Sequence, residues 1–176
     1  MMKSGLSGKD KARERALKKL STRERTEKEI LDFLCGEGCT SVESKEIVAE
    51  FKEWGYLDDE RYCRRYFEYG RSKGKAAARI IRELVQKGIS ADKARDVLSD
   101  MNEESDGGKW EDDKCAALSV GMKMAVNQAD SGKPSDEKFL ARVGRRLAGL
   151  GYDSGTCYYV IGKVRDYGKE REREDE

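Results

Sequence analysis

Three stretches of this chain carry one pattern, and no other feature of the sequence limits the possible folds so strongly. Each reads Leu-x-x-x-Gly, with an apolar residue four positions before the leucine. Apolar residues follow at nine, ten and thirteen positions after the glycine. The first set is Ile30, Leu34, Gly38, Ile47, Val48 and Phe51; the second is Ile80, Leu84, Gly88, Val97, Leu98 and Met101; the third is Val143, Leu147, Gly151, Val160, Ile161 and Val164. Glycine takes the left-handed conformation that closes a helix at little steric cost. The apolar residues before and after it fall at helical spacing. Each stretch therefore predicts two helices joined at a glycine. A further helix upstream completes a three-helix repeat, too small to bury much surface alone, so neighbouring repeats should stack.

The rest of the sequence agrees with helices. β-Branched residues never alternate over a useful length, and Pro134 is the single proline. Charged residues make up 40% and apolar residues 37% of the 176 positions, a composition that suits helices burying a narrow stripe. Ala12, Ala16, Leu17 and Leu20 mark the first stripe, and Thr26 to Glu29 is a capping-box pattern before the next. Ser44 precedes a helix that Gly55 can stop. Asp58, Asp59 and Glu60 suit the first turn of a helix carrying Tyr62, Cys63, Tyr66 and Phe67, which Gly70 ends. Further helices are expected over 75–87 and through Ala94 to Met101. Another is expected through Leu118, Met122 and Ala125, one capped by Ser135, and a last one through Val164.

The fold expected is all-α: three tandem three-helix repeats in an elongated, curved array. Its divisions are a flexible N-terminus over 1–10, repeats over 11–57 and 58–101, a linker over 102–109, a third repeat over 110–166 and a charged tail over 167–176. Residues 127–134 read as a loop, and 169–176, with no apolar residue, as frayed or disordered.

Net charge is +1, but its layout is uneven. Residues 61–82 hold Arg61, Arg64, Arg65, Arg71, Lys73, Lys75, Arg79 and Arg82 against Glu68 alone. Residues 3–25 and 138–169 are also basic, while 42–60 and 92–113 are acidic. Lys75, Arg79 and Arg82 follow i, i+4, i+7 spacing and centre opposite Ile80, Ile81 and Leu84. The eight cations read as a basic ridge for an acidic partner, either phosphates or an acidic protein groove, or else as a solvated surface. Of the interleaved aromatics, Tyr62 and Tyr66 read as core and Tyr69 as exposed.

Catalytic and metal chemistry find little support. The chain has no histidine, which removes the commonest general base and zinc ligand. Cys35 and Cys39 are four apart with no second pair, and Asp58, Asp59 and Glu60 have no Gly-rich phosphate loop beside them. Gly5-Leu-Ser-Gly-Lys9 is too short for a Walker loop and follows no strand. No enzyme activity, metal or cofactor is expected. Neither a secretory h-region nor a run of about 18 apolar residues is present, so a cytoplasmic protein with reduced thiols and no membrane contact is expected.

Gly55-Tyr-Leu-Asp-Asp-Glu-Arg-Tyr62, then Arg71, then Arg79-Ile-Ile-Arg-Glu-Leu-Val-Gln-Lys-Gly-Ile89 resembles the RecX family of RecA regulators. The upstream Ala16-Leu-x-x-Leu20, Arg23, Thr26 and Glu29-Ile-Leu31 is similar to that family's opening helices. The likeness covers about residues 12–101; from 110 to 166 mainly the repeat pattern persists. It departs at Lys75, which follows Gly74 where the family often has a proline. The resemblance implies tandem three-helix repeats. It also implies a monomeric, non-catalytic protein that binds the RecA filament on single-stranded DNA, touches the DNA weakly or indirectly, and inhibits recombinase, ATPase and co-protease activity in DNA repair, recombination and the SOS response. A stand-alone helical nucleic-acid-binding module and a helical protein-interaction scaffold are the alternatives.

Overall fold

The structure is a computed structural model and describes residues 7–104 and 112–174. Among the described residues there are nine α-helices and no strand. In chain order they are α1 (Gly8–Thr22), α2 (Glu27–Gly36), α3 (Ser41–Glu53), α4 (Asp59–Ser72), α5 (Ala77–Gln86), α6 (Ala91–Glu104), α7 (Asp113–Asp130), α8 (Glu137–Leu150) and α9 (Ser154–Glu174). They fall into three triplets.

The repeated glycine does one job three times. Gly38, Gly88 and Gly151 have φ of 90°, 91° and 95°. The N–H of the next residue reaches back to the repeated leucine: Cys39 to Leu34 O at 3.1 Å, Ile89 to Leu84 O at 3.2 Å and Tyr152 to Leu147 O at 3.3 Å. The glycine N–H donates one turn back, to Cys35 O, Val85 O and Ala148 O. This pair of bonds is the Schellman cap, and it satisfies carbonyls the helix end would otherwise orphan. One residue further on, a side chain caps the next helix. Thr40 accepts Glu43 N–H, Ser90 accepts Lys93 N–H and Asp153 accepts Thr156 N–H. Stop, apolar anchor and start thus follow in consecutive residues. The leucines and the residues four before them are fully buried in all three triplets.

The chain divides into two compact units. One comprises Met1–Arg65 and Glu83–Val97, the other Tyr66–Arg82 and Leu98–Glu176, so the chain passes between them within α4, α5 and α6. The first unit holds a core of α1–α3 residues, including Ala16, Ile30, Leu34, Ile47 and Phe51. The second holds a core around Phe139, Val143, Leu147, Val160 and Val164.

Each unit contains the same join between successive triplets. In the first, the start of α2 lies on the cap after α5: Thr26 Oγ1 donates to Lys87 O at 2.7 Å, and the Lys28 stem covers Gly88 so closely that a Cβ there would stand 2.2 Å from Lys28 Cβ. In the second, the start of α5 lies on the cap after α8: Ala76 N–H donates to Leu150 O at 3.0 Å, and a Cβ on Gly151 would stand 2.6 Å from Arg79 Cβ. Nothing described comes within 4 Å of the Cβ position at Gly38.

Several helix limits differ from the sequence expectation. Thr40, not Ser44, caps α3, with Glu43 completing a capping box; Ser44 is buried one turn inside. Gly70 does not end α4, which continues to Ser72; a Cβ at Gly70 would stand 2.6 Å from Ile80 Cδ1, so close packing requires the glycine. α5 starts at Ala77, so Lys75 precedes it. Residues 102–104 extend α6, and 105–109 of the expected linker lie outside the described residues. Residues 127–130 belong to α7, and Asp136 rather than Ser135 caps α8, accepting Phe139 N–H at 2.8 Å. Residues 169–174 are helical because α9 runs on along the start of α8, with Gly168 packed against Ser135 and Arg165 paired with Glu137.

Candidate nucleic-acid interface

α4 begins where Asp58 caps it, accepting Arg61 N–H at 2.9 Å. The next residue, Asp59, is buried, and its carboxylate accepts the N–H of Glu27 at 2.9 Å, tying α4 to α2 within the first unit. Burial pushes the Asp59 pKa above its ordinary 3.8, opposed by that N–H. Folded protein therefore binds more protons than unfolded chain just above the ordinary carboxylate pKa. Stability rises as pH falls through the folded pKa, and the gain is complete below 3.8. Asp59→Asn keeps an acceptor for Glu27 and removes the titration. Urea midpoints between about pH 4 and 7 are expected to show less stabilisation on acidification for the variant; parallel profiles would refute this account of Asp59.

The eight ridge cations are not equivalent. In the first unit, Arg61 donates to Gly55 O at 3.2 Å and shares Glu24 with Arg65, whose contact is 2.8 Å. Arg64 pairs with Glu60 at 3.4 Å. Such half-exposed pairs are worth about 0–1 kcal/mol each, and a polyanion could displace them.

In the second unit, Arg71 turns inward. Its side chain is only 10% exposed, pairs with Asp113 and donates to Lys75 O at 3.1 Å. The same Asp113 oxygen accepts Ala77 N–H at 3.1 Å. Arg79 spends its stem on Gly151. Lys75 is half-buried, its ammonium 5.8 Å and 6.0 Å from the Tyr66 and Tyr69 rings. Lys73 and Arg82 are exposed. Lys73 lies 5.5 Å from the centre of Tyr69, whose own exposure is 54%, whereas Tyr62 is buried.

Two cations outside the ridge complete this surface. A cleft of about 350 Å³ in the second unit is lined by Arg71, Ser72, Lys73 and Gly74, and by Lys123 of α7 and Arg146 of α8. No carboxylate lines it. Sequence reasoning passed over Lys123, which sits between basic blocks with no local signal, and placed Arg146 only in a broad basic stretch.

Among the described residues no group of three or more His, Cys, Asp or Glu side chains could hold a metal ion, and no helix is long and apolar enough to cross a membrane. Cys39, Cys63 and Cys157 are buried, and burial pushes the Cys63 thiol up to about 11.

Comparison with known proteins finds similarity to one family. A family model described as RecX, second three-helix domain, matches residues 58–98. The chain is 27% identical over 154 residues to "Regulatory protein RecX" of Clostridium perfringens (strain 13 / Type A), covering 88% of this chain and 68% of the relative. It is 32% identical over 88 residues to "Regulatory protein RecX" of Streptococcus mutans, covering 49% of this chain and 34% of that one. The crystal structure of RecX from Lactobacillus salivarius aligns with a TM-score of 0.67 at 21% identity, over 89% of this chain and 96% of the other, a likeness of fold. With its all-α triplets, the match across its second triplet and these relatives, the chain is similar to proteins of the RecX family.

Proposed function

We propose that this chain is a non-catalytic regulator that binds the filament formed by RecA on single-stranded DNA and mainly inhibits its ATPase, recombinase and co-protease activities. The observation that carries the reading is the set of exposed cationic and aromatic residues in the second unit, Lys73 beside Tyr69 and Arg82 on α5, borne by a scaffold similar to RecX proteins. A regulator of this kind acts by occupancy, so it needs surface and complementary charge rather than a reactive group. The reading also takes the protein to work as a monomer in the cytoplasm.

The test is RecA ATP hydrolysis on single-stranded DNA with this protein added. Turnover is expected to fall with increasing protein and to reach a plateau; unchanged turnover at saturating protein would remove the proposal. Charge reversal must avoid Arg71 and Arg79, whose side chains hold the fold, and Lys75, which is half-buried beside the Tyr66 and Tyr69 rings. Lys73→Glu with Arg82→Glu is expected to weaken inhibition about tenfold or more while helicity by circular dichroism is kept. Full inhibition by a folded double variant would show that this surface is not the contact.

A further inference from the structure

We infer that the cleft between the α4–α5 turn, α7 and α8 is a binding site for the phosphodiester backbone of a single strand, with Tyr69 beside it as a stacking platform for a base. The inference deepens the filament reading by naming the nucleic-acid strand, rather than protein, as what this part of the surface meets.

All of the residues belong to the second unit. Lys73, Lys123 and Arg146 reach the cleft from three different elements, and all three are exposed. Among the described residues Lys123 and Arg146 form no ion pair, so no internal carboxylate has to be displaced before a ligand binds. Asp113, the carboxylate paired with the lining residue Arg71, is already engaged by that guanidinium and by Ala77 N–H. Three cations around an opening of about 350 Å³ repel one another, and a polyanion relieves that repulsion. The hydroxyl of Ser72 is committed to Tyr69 O at 2.8 Å, which leaves the exposed Ser119 as the hydroxyl donor at the rim.

The aromatic neighbour separates a nucleic acid from an acidic peptide. Tyr69, in the last turn of α4, lies four residues before Lys73 of the α4–α5 turn, with more than half its surface open and two ammonium groups at 5.5 Å and 6.0 Å from its ring. An exposed ring beside cations that track a backbone is how proteins hold single strands with little sequence preference. A carboxylate-bearing peptide would use the cations and gain little from the ring.

The test is fluorescence anisotropy with labelled oligo(dT) of about 20 nucleotides, without RecA, over a range of salt. The wild-type chain is expected to bind, with affinity falling as salt rises. Lys123→Gln with Arg146→Gln is expected to weaken binding about tenfold or more at low salt and to flatten the log-affinity against log-salt slope by about 1.4, the value for two phosphates on a single strand. Tyr69→Ala is expected to weaken binding about fivefold or more, and Tyr69→Phe to restore it. Absence of wild-type binding, or an unchanged affinity and slope in the folded double variant, would overturn the site. Competition by poly-glutamate as effective as by unlabelled oligo(dT) would assign the cleft to acidic peptides and overturn it too. Because RecA is absent, a cleft that binds oligo(dT) alongside an unaltered RecA ATPase would sink the filament reading alone, and loss of the cleft alongside intact ATPase inhibition would sink this inference alone.

Discussion

Gly88→Ala is expected to destabilise the protein by about 2–5 kcal/mol, whereas Gly38→Ala, at nearly the same backbone angle, should cost only about 1–2 kcal/mol. Both glycines have φ near 90°, where an L-residue's Cβ crowds its own carbonyl, so both variants bear the conformational penalty. They differ in what the new methyl group meets. At Gly38 it enters open space; at Gly88 it would stand 2.2 Å from Lys28 Cβ and 2.3 Å from Lys28 Cγ. Those atoms lie next to the main chain and cannot swing away as a lysine tip could. The start of α2 has to back off, and the Thr26 hydroxyl then loses its 2.7 Å contact with Lys87 O. Overpacking of that kind adds about 1–3 kcal/mol. Gly151→Ala should behave like Gly88→Ala, since its methyl would meet Arg79 Cβ at 2.6 Å. Urea denaturation of the three variants at constant m-value is the measurement. Equal losses at Gly38 and Gly88 would show that the join between the first two triplets does not depend on close approach at this glycine.

The same glycines explain why so much of the fold could be read directly. A Schellman cap needs a left-handed residue, and the leucine whose carbonyl it satisfies is buried, so the local geometry imposes a spaced leucine and glycine on the sequence. Positions decided by tertiary contact were not legible in the same way. Gly70 reads as a stop, yet it sits inside α4 because Ile80 presses on it from α5. The end of α9 has no apolar residue, but helix already anchored at Val164 and Gly168 carries it forward to Glu174. Ser44 reads as the residue before a helix and Ser135 as a cap although Thr40 and Asp136 do the capping, because nearby hydroxyls and carboxylates suit the role equally until the preceding turn fixes which one leaves helical geometry. The basic ridge divides for a related reason. Helical spacing gives the direction of a cation on its own helix, but not that Asp113 draws Arg71 inward from 42 residues away, nor that Lys123 and Arg146 arrive beside Lys73.

Asp113→Ala is expected to cost about 2–4 kcal/mol, far more than loss of an ordinary surface carboxylate. One oxygen of Asp113 serves two donors, the Arg71 guanidinium and Ala77 N–H at 3.1 Å, and so ties the start of α7 to the α4–α5 turn within the second unit. Removing it orphans an N–H in the first turn of α5 and leaves a guanidinium only 10% exposed with one partner fewer. Arg95 and Asp92 provide the contrast. Their side chains are 61% and 91% exposed, and Asp92→Ala should change stability by less than about 1 kcal/mol. Asp113→Asn should fall between these limits, because it keeps an acceptor for both donors and loses only the charge. Adding Arg71→Met to Asp113→Ala should recover part of the loss, since the stranded charge is then gone while the stem still packs. Thermal or urea unfolding of the four variants checks the series. If the double variant is no more stable than Asp113→Ala alone, the penalty comes from the Ala77 N–H rather than from the buried cation.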